Sequence, residues 1–471
     1  MAGSKRLNPL DASWLAVDTV ETPMHVGSLL IFSKPDNAPA DFMQRLVAHL
    51  KDCTEVYPPW NFKLKSLALR RLLPVWTYSE DLDIDFHVRH SALPQPGGER
   101  ELGMLISRLH SRQLDFSRPL WDAHVIEGLE NNRFALYTKM HHSLVDGISG
   151  MRMLQRTLGE SAAASRKLPG PWAAQPREKP PREEPEELSA PSSLLDTVKD
   201  GLRKQAQSAP ELVRALGRLI KAGNEGGDLT APFTAPSSAL NGRVSGARRF
   251  ATQQYDLARL KALAKSADVS LNDVVLWLCS SALRRFLKET HTLPARALTA
   301  GIPVNIRPAD DEGMGTAISF VMANLATDIA DPRKRLKAIS SSMKSAKEHL
   351  QSLPRSALTQ YTMLVMAPYI LQLLTGLGGR TRPVFNVTIS NVPGPTHPLY
   401  LYGAKLEAMY PVSLLSHGQA LNITCVSYNG SMNFGFTGAR DALPHMQRLA
   451  VYTGEALEEL EQLLKKRDKA D

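Results

Sequence analysis

His141 and His142 stand side by side, and Ser143, Leu144, Val145, Asp146 and Gly147 follow them. An imidazole with a reference pKa of about 6.5 takes up and returns protons near neutrality. Standing between two reactants, one such ring can serve an attacking hydroxyl as base and a departing group as acid. On an extended segment successive side chains point to opposite sides, so only one of the two rings is expected to face a substrate. Asp146, four residues after His142, has two uses open to it: orienting the ring, or pairing with a distant arginine to hold the turn. Two histidines and an aspartate can also bind metal, but HH-x3-D is not a standard zinc arrangement, and no nearby cysteine or third histidine completes a shell. Two hydrogen-bonded structural histidines at a sheet edge are the plainer alternative.

The elements around this pair are legible from periodicity. Trp121 to Leu129 and Arg133 to Met140 read as two strands joined by a tight turn at Asn131-Asn132. The histidines follow the second strand directly, and ISGMRMLQRTLG after them is helical. A strand-to-turn-to-helix junction puts side chains at the rim of a sheet, and Gly147 permits backbone geometry that other residues resist. Upstream, HVGSLLIF reads as a strand and DFMQRLVAHLKD as a helix. In ELGMLISRLHSRQL, Leu102, Leu105, Ile106 and Leu109 fall at helical spacing.

From Glu160 to Pro191 the chain is rich in proline and mixed charge and reads as a linker. Two helical stretches follow. In the second, Leu212, Leu216, Leu219 and Ile220 share one face and Arg214, Arg218 and Lys221 another. Such a basic amphipathic helix suits either an anionic membrane or packing on the body of the protein. Beyond it the α/β alternation resumes. RRFATQQYDL, ALTAGIPVNI, ISFVMANLATDI, FNVTISNV, ALNITCVSYNG and SMNFGFTGA are expected strands. A long helix begins near Asn272, and a terminal helix begins at about Pro444. The pattern divides the chain into an N-terminal domain over 1–159, a linker with amphipathic helices over 160–245 and a C-terminal domain over 246–471. Ser356 to Gly379 carries no charge and is long enough to span a bilayer, yet Gln360, Thr362, Pro368 and Gln372 interrupt it. A buried or interfacial helix pair is the expectation.

A length of 471 residues exceeds what one core usually supports, in keeping with two domains. The formal charge of +9 suits a polyanion, an anionic membrane surface or a phosphorylated substrate. Nucleic acid is not expected, because no recognition motif accompanies the charge. Cys53, Cys279 and Cys425 are scattered in apolar settings, which fits a reducing cytoplasm. The opening MAGSKRLNPLDASWL lacks the apolar run of a secretory signal.

His141 to Gly147 matches the HHxxxDG motif of the coenzyme A-dependent acyltransferase superfamily. More narrowly, the chain resembles the bacterial wax ester synthase/diacylglycerol acyltransferases. Pro119-Leu120-Trp121 matches their PLW motif, Asn272-Asp273 their ND motif, and Ser390 to Pro395 (SNVPGP) their late motif. LNPLDASWL and ETPMHVG look like the family's opening. The likeness covers nearly the whole chain apart from the linker, and four motifs in the right order carry it.

The resemblance implies an α/β fold of two chloramphenicol-acetyltransferase-like sandwich domains, with the active site in a tunnel between them. It implies esterification of a long-chain fatty alcohol, diacylglycerol or both by acyl-CoA, which is a substrate, with no cofactor and no metal. His142 carries over as the catalytic histidine, with His141 and Gly147 supporting it. Asp146 carries over as a structural member of the motif, and Asn272 and Asp273 as residues at or near the site on the second domain. A hydrogen-bond donor must meet the tetrahedral oxyanion, and Asn272 or a backbone N–H is the candidate. No covalent acyl-enzyme is needed, since nothing resembles a GxSxG elbow. PLW is expected to pack the base of the hairpin, SNVPGP to shape an interface loop, and Arg307 to pair with Asp310 or Asp311. Substrates so insoluble imply peripheral attachment of a cytoplasmic protein to the inner membrane or to lipid inclusions. The alternatives are an acyltransferase acting on another alcohol or an amine, and a noncatalytic protein that binds lipid droplets.

Overall fold

The computed structural model describes residues 4–7, 9–52, 55–72, 74–145, 147–175, 217–219, 221, 229–305 and 318–467. In chain order the first half contributes β1 (Ser4–Arg6), α1 (Pro9–Val17), β2 (His25–Ser33), α2 (Phe42–Lys51), β3 (Phe62–Leu64), β4 (Val75–Tyr78), α3 (Ile84–His87), β5 (Val88–Ala92), α4 (Glu99–His110), β6 (Trp121–Leu129), β7 (Arg133–His141), α5 (Gly147–Thr157) and α6 (Ala162–Ser165). The second contributes β8 (Arg248–Asp256), α7 (Leu257–Ser266), α8 (Leu271–Glu289), β9 (Thr299–Asn305), β10 (Ile318–Asn324), α9 (Pro332–Gln351), α10 (Arg355–Thr375), β11 (Val387–Val392), β12 (Tyr400–Leu401), β13 (Ala404–Val412), β14 (Leu421–Tyr428), β15 (Ser431–Ala439) and α11 (Arg448–Arg467).

The mixed α/β class is as expected, with two six-stranded sheets. One has the order β12-β13-β2-β7-β6-β5, the other β10-β9-β11-β14-β15-β8, and a small third sheet has the order β1-β4-β3. The β6–β7 hairpin turns at Asn131 and Asn132, both at positive φ (61° and 55°), the geometry that lets a tight turn follow the strand twist. β12 and β13, late in the chain, complete the first sheet: Tyr410 of β13 pairs with Leu29 of β2. Sequence periodicity does not announce this crossover. The alternation in AKLEAMYPV marks a strand with Ala404, Leu406 and Ala408 inside, but not which sheet receives it.

The two faces of the first sheet are covered differently. Leu30, Phe32, Leu136 and Trp121 pack with α2 on one face. Leu29, Ile31, Ala135 and Tyr137 meet Leu102 and Ile106 of α4 on the other. The halves are stitched at α4, where the Ser107 and Ser111 hydroxyls accept the backbone N–H groups of Phe250 and Arg248.

Three sequence expectations change here. Part of the expected linker is docked, since Trp172 is fully buried, stacks on Trp121 and donates its indole N–H to the Leu50 carbonyl at 3.0 Å. The expected helix pair over 356–379 is a single helix, α10, containing Pro368 and closed by Gly376 in the left-handed region. The terminal helix starts at Arg448 rather than Pro444. Cys53, Arg214, Arg307, Asp310 and Asp311 lie outside the described residues.

Candidate active site

β7 delivers the histidine pair to the edge of the first sheet. His141 is its last residue and shares a face with Tyr137 and Lys139, the face that α4 covers; the Lys139 ammonium donates to the Leu109 and Arg112 carbonyls there. His141 is accordingly buried, whereas His142, in the turn beyond, is half-buried. The turn is pinned through its backbone. The His141 N–H reaches the Leu120 carbonyl at 3.0 Å, the His142 N–H the Met24 carbonyl at 2.8 Å, and the Leu144 N–H the His141 carbonyl at 3.0 Å.

The two rings have different surroundings. Trp14 of α1 stacks on His142 with centroids 4.4 Å apart. Nδ1 of His141 accepts the Ser143 backbone N–H at 3.2 Å and lies 2.6 Å from its hydroxyl. A backbone N–H can only donate, so Nδ1 is unprotonated and the neutral ring carries its proton on Nε2. Nε2 points toward Asp18, 3.4 Å from Oδ2, too poorly aligned to count as a hydrogen bond. Around them Leu15, Leu114 and Leu120 join Phe62, Leu64 and Trp76 of the small sheet, with Phe116 and Leu144 against this cluster. That apolar collar fixes α1 to the turn that carries the histidine pair.

Below the turn lies a buried polar layer. Nε2 of His25, opposite His141 in the β2–β7 register, is 2.9 Å from the His110 carbonyl. His110 contacts the Tyr137 hydroxyl at 2.9 Å and the Ser413 carbonyl at 3.0 Å. Burial, the largest cause in each case, holds His25 well below its usual range, His124 at about 4 and His110 at about 3. These rings are neutral scaffolding at physiological pH.

The other predicted residues sit as follows. Asp146 lies outside the described residues, and Gly147 opens α5. Asn272 is half-buried in the first turn of α8. Asp273 closes a capping box: the Ser270 hydroxyl accepts its N–H at 3.2 Å and its Oδ2 accepts the Ser270 N–H at 2.9 Å, with the Ser340 hydroxyl a further donor at 3.2 Å. Trp121 of PLW is buried among His87, Trp60 and Trp172 and donates to the Trp60 carbonyl at 2.6 Å, so the motif packs. In SNVPGP, a side chain at Gly394 would stand 2.3 Å from the Ser427 carbonyl oxygen, so only glycine fits that close approach. Among the described residues no cluster of three or more His, Cys, Asp or Glu is arranged to hold a metal. Sequence reading missed Trp14, Asp18, Met24 and His25 as residues around the site; Trp14, Met24 and His25 had only their membership of the LNPLDASWL and ETPMHVG stretches as a signal, and Asp18, between the two, had none.

The wax ester synthase/diacylglycerol acyltransferase catalytic domain profile matches residues 7–275, and the profile of the same group's C-terminal domain matches residues 314–461. The chain belongs to this family. A putative diacylglycerol O-acyltransferase of Mycobacterium tuberculosis is 43% identical over 97% of both chains. The O-acyltransferase WSD of Acinetobacter baylyi is 39% identical over 98% of both. The wax ester synthase/diacylglycerol acyltransferase of Marinobacter aquaeolei, a solved structure, superposes with a TM-score of 0.78 at 37% identity, covering 98% of this chain and 100% of that one. The protein is therefore an acyltransferase of the wax ester synthase/diacylglycerol acyltransferase family, and its α/β fold is the family's.

Proposed function

We propose that this family member transfers a fatty acyl group from acyl-CoA to a long-chain fatty alcohol, to diacylglycerol or to both, with His142 as general base. The observation that carries the base assignment is the contrast within the pair: His141 is buried against Phe116, with Nδ1 engaged by Ser143, while His142 is half-buried and stacked on Trp14. His142 takes the proton of the acceptor hydroxyl as its oxygen attacks the thioester carbon. The tetrahedral intermediate then collapses with cleavage of the C–S bond, and the protonated imidazole returns the proton to the departing thiolate. Asn272 is the candidate donor to the oxyanion, and Asp146 the candidate holder of the turn. The transfer calls for no metal and no prosthetic group, and a tunnel between the domains would bring the two substrates to His142 from opposite sides.

Purified protein given palmitoyl-CoA with hexadecanol or dioleoylglycerol in parallel tests this. Ester formed by the wild type and lost in His142→Ala supports the reading. Free coenzyme A release without ester, or acylation of an added amine in preference to either alcohol, defeats it.

We further propose peripheral attachment of this cytoplasmic enzyme to the inner membrane or to lipid inclusions, through α10. Among the described residues no helix is long and apolar enough to cross a membrane. On α10, Tyr361, Val365 and Met366 are buried, whereas Met363, Leu371 and Leu374 are 64%, 59% and 53% exposed, with Leu364, and Leu377 just beyond the helix, also exposed. Their spacing puts Met363, Leu364, Leu371 and Leu374 on one stripe. Val365, between them in sequence, faces the core and takes no part in this stripe. The basic helix is a weaker candidate: Leu219 is buried, and the Arg218 guanidinium donates to Ser352 at 2.9 Å.

A further inference from the structure

We infer that Asp18 is the positioning residue of the catalytic turn, holding His142 from two directions at once. The inference rests on His142 as the base. Asp18 follows α1, and it and His141 are each only 1% exposed. Its Oδ2 accepts the Met24 backbone N–H at 2.6 Å, and the carbonyl of the same Met24 accepts the His142 N–H at 2.8 Å. The same Oδ2 faces Nε2 of His141, the nitrogen that carries the proton. Oδ1 accepts from the Gln113 side-chain amide, and the Asp18 carbonyl accepts from Arg71 at 3.4 Å. One carboxylate thus lies against the ring beside the base and is tied, through Met24, to the backbone of the base itself.

The chemistry demands an acceptor at both oxygens. The Met24 N–H is an obligate donor, Gln113 presents its amide NH2 to the other oxygen, and Nε2 of His141 stands 3.4 Å from Oδ2 without a hydrogen bond. An asparagine keeps one oxygen for the Met24 N–H, and its NH2 then faces Gln113, which must turn its own amide over to receive it. The loop bearing Asp18 is also clamped from the second half of the chain, where Arg248 donates to the Glu21 carbonyl at 2.8 Å and His417 lies 3.1 Å from the Glu21 carboxylate. Asp18 therefore stands where the two halves meet the catalytic turn.

The test compares Asp18→Asn, Asp18→Glu and Gln113→Ala with wild type and His142→Ala, measuring kcat and KM for acyl-CoA and alcohol. Asp18→Asn is expected to lower kcat by roughly 10- to 100-fold, the size of effect a small misplacement of a reacting group produces. KM should change little, since Asp18 touches neither substrate. Asp18→Glu restores the carboxylate and recovers part of kcat, and Gln113→Ala, which frees Oδ1 without altering the acid, gives a smaller kcat loss. In protein labelled with 15N at histidine, the His141 Nε2–H resonance, assigned by its absence from His141→Asn, should shift in Asp18→Asn. A folded Asp18→Asn enzyme with wild-type kcat, or a loss carried wholly by KM, overturns the inference. If Asp18→Asn does not fold, an unchanged kcat in Gln113→Ala overturns it instead. Activity retained by His142→Ala sinks the base assignment, whereas a dead His142→Ala beside a normal Asp18→Asn sinks only the role of Asp18.

Discussion

The indole of Trp14 lies nearly flat on the imidazole of His142, with ring centroids 4.4 Å apart and planes inclined by 26°. The residues are far apart in sequence, and the contact exists because α1 is packed through Leu15 onto the collar around the turn. Stacked aromatic pairs contribute about 0.5–1.5 kcal/mol beyond their buried area. Trp14→Ala should therefore lower kcat by roughly 3- to 10-fold if that energy holds the ring in its reactive orientation. Trp14→Phe, which keeps a stacking face, should lose less. Equal kcat in all three enzymes would mean that the stack does not orient the base.

The histidine pair should separate by the kind of damage each substitution does. His142→Ala should reduce turnover by about 100- to 10,000-fold, the usual contribution of general acid–base catalysis, with little change in melting temperature. His141→Ala empties a buried site and leaves the Ser143 N–H without its Nδ1 partner, and such an unpaired group costs about 1–3 kcal/mol. Its main effect should be a lower urea midpoint, with a smaller loss of kcat per folded molecule. Reversed effects would exchange the two roles.

Asp273 should matter to the fold before it matters to the reaction. Asp273→Ala breaks the capping box of α8 and strips a partner from Ser340, for a loss of about 1–3 kcal/mol. Urea denaturation measures this directly. A stable Asp273→Ala protein with very low kcat would instead place the carboxylate in the chemistry.

Acid should destabilise the protein through its buried histidines. In the unfolded chain these imidazoles bind protons near pH 6.5, whereas in the fold His124 does so only at about 4 and His110 at about 3. Between those values the unfolded state holds more protons. Stability is therefore full above pH 6.5 and falls as pH drops, by about 1.4 kcal/mol per pH unit for each such histidine. Urea midpoints measured from pH 7 to pH 5 should show this slope, and His124→Asn should make it shallower by one proton. A midpoint that rises on acidification would contradict the neutral state of the layer.

Membrane attachment through α10 should resist salt. Burial of Leu371 and Leu374 does not depend on screening, whereas attraction of Arg218 and Lys221 to anionic lipid does. Wild-type protein should float with anionic liposomes at low salt and largely remain bound at high salt. Leu371→Glu combined with Leu374→Glu should abolish flotation at both. A wild type that never floats ends the proposal, and complete release by salt would move the contact to the basic residues.

The sequence by itself determined the reaction class and most of the elements. Side-chain periodicity and motif spacing are local properties, so α4, α8, the β6–β7 hairpin with its Asn-Asn turn, and the order of HHxxxDG, PLW, ND and SNVPGP could be read along the chain. Alternation also showed that His141 and His142 diverge. Which of them is sealed in was decided only by tertiary structure, because it depends on α4 covering the face of β7 that bears Tyr137, Lys139 and His141. The same holds for β13, whose alternation is visible but whose partner β2 lies hundreds of residues earlier. Trp14, Asp18 and Met24 carry no chemical motif of their own. They become part of the site because long-range packing, which no local period encodes, brings α1 and the loop after it against the end of β7.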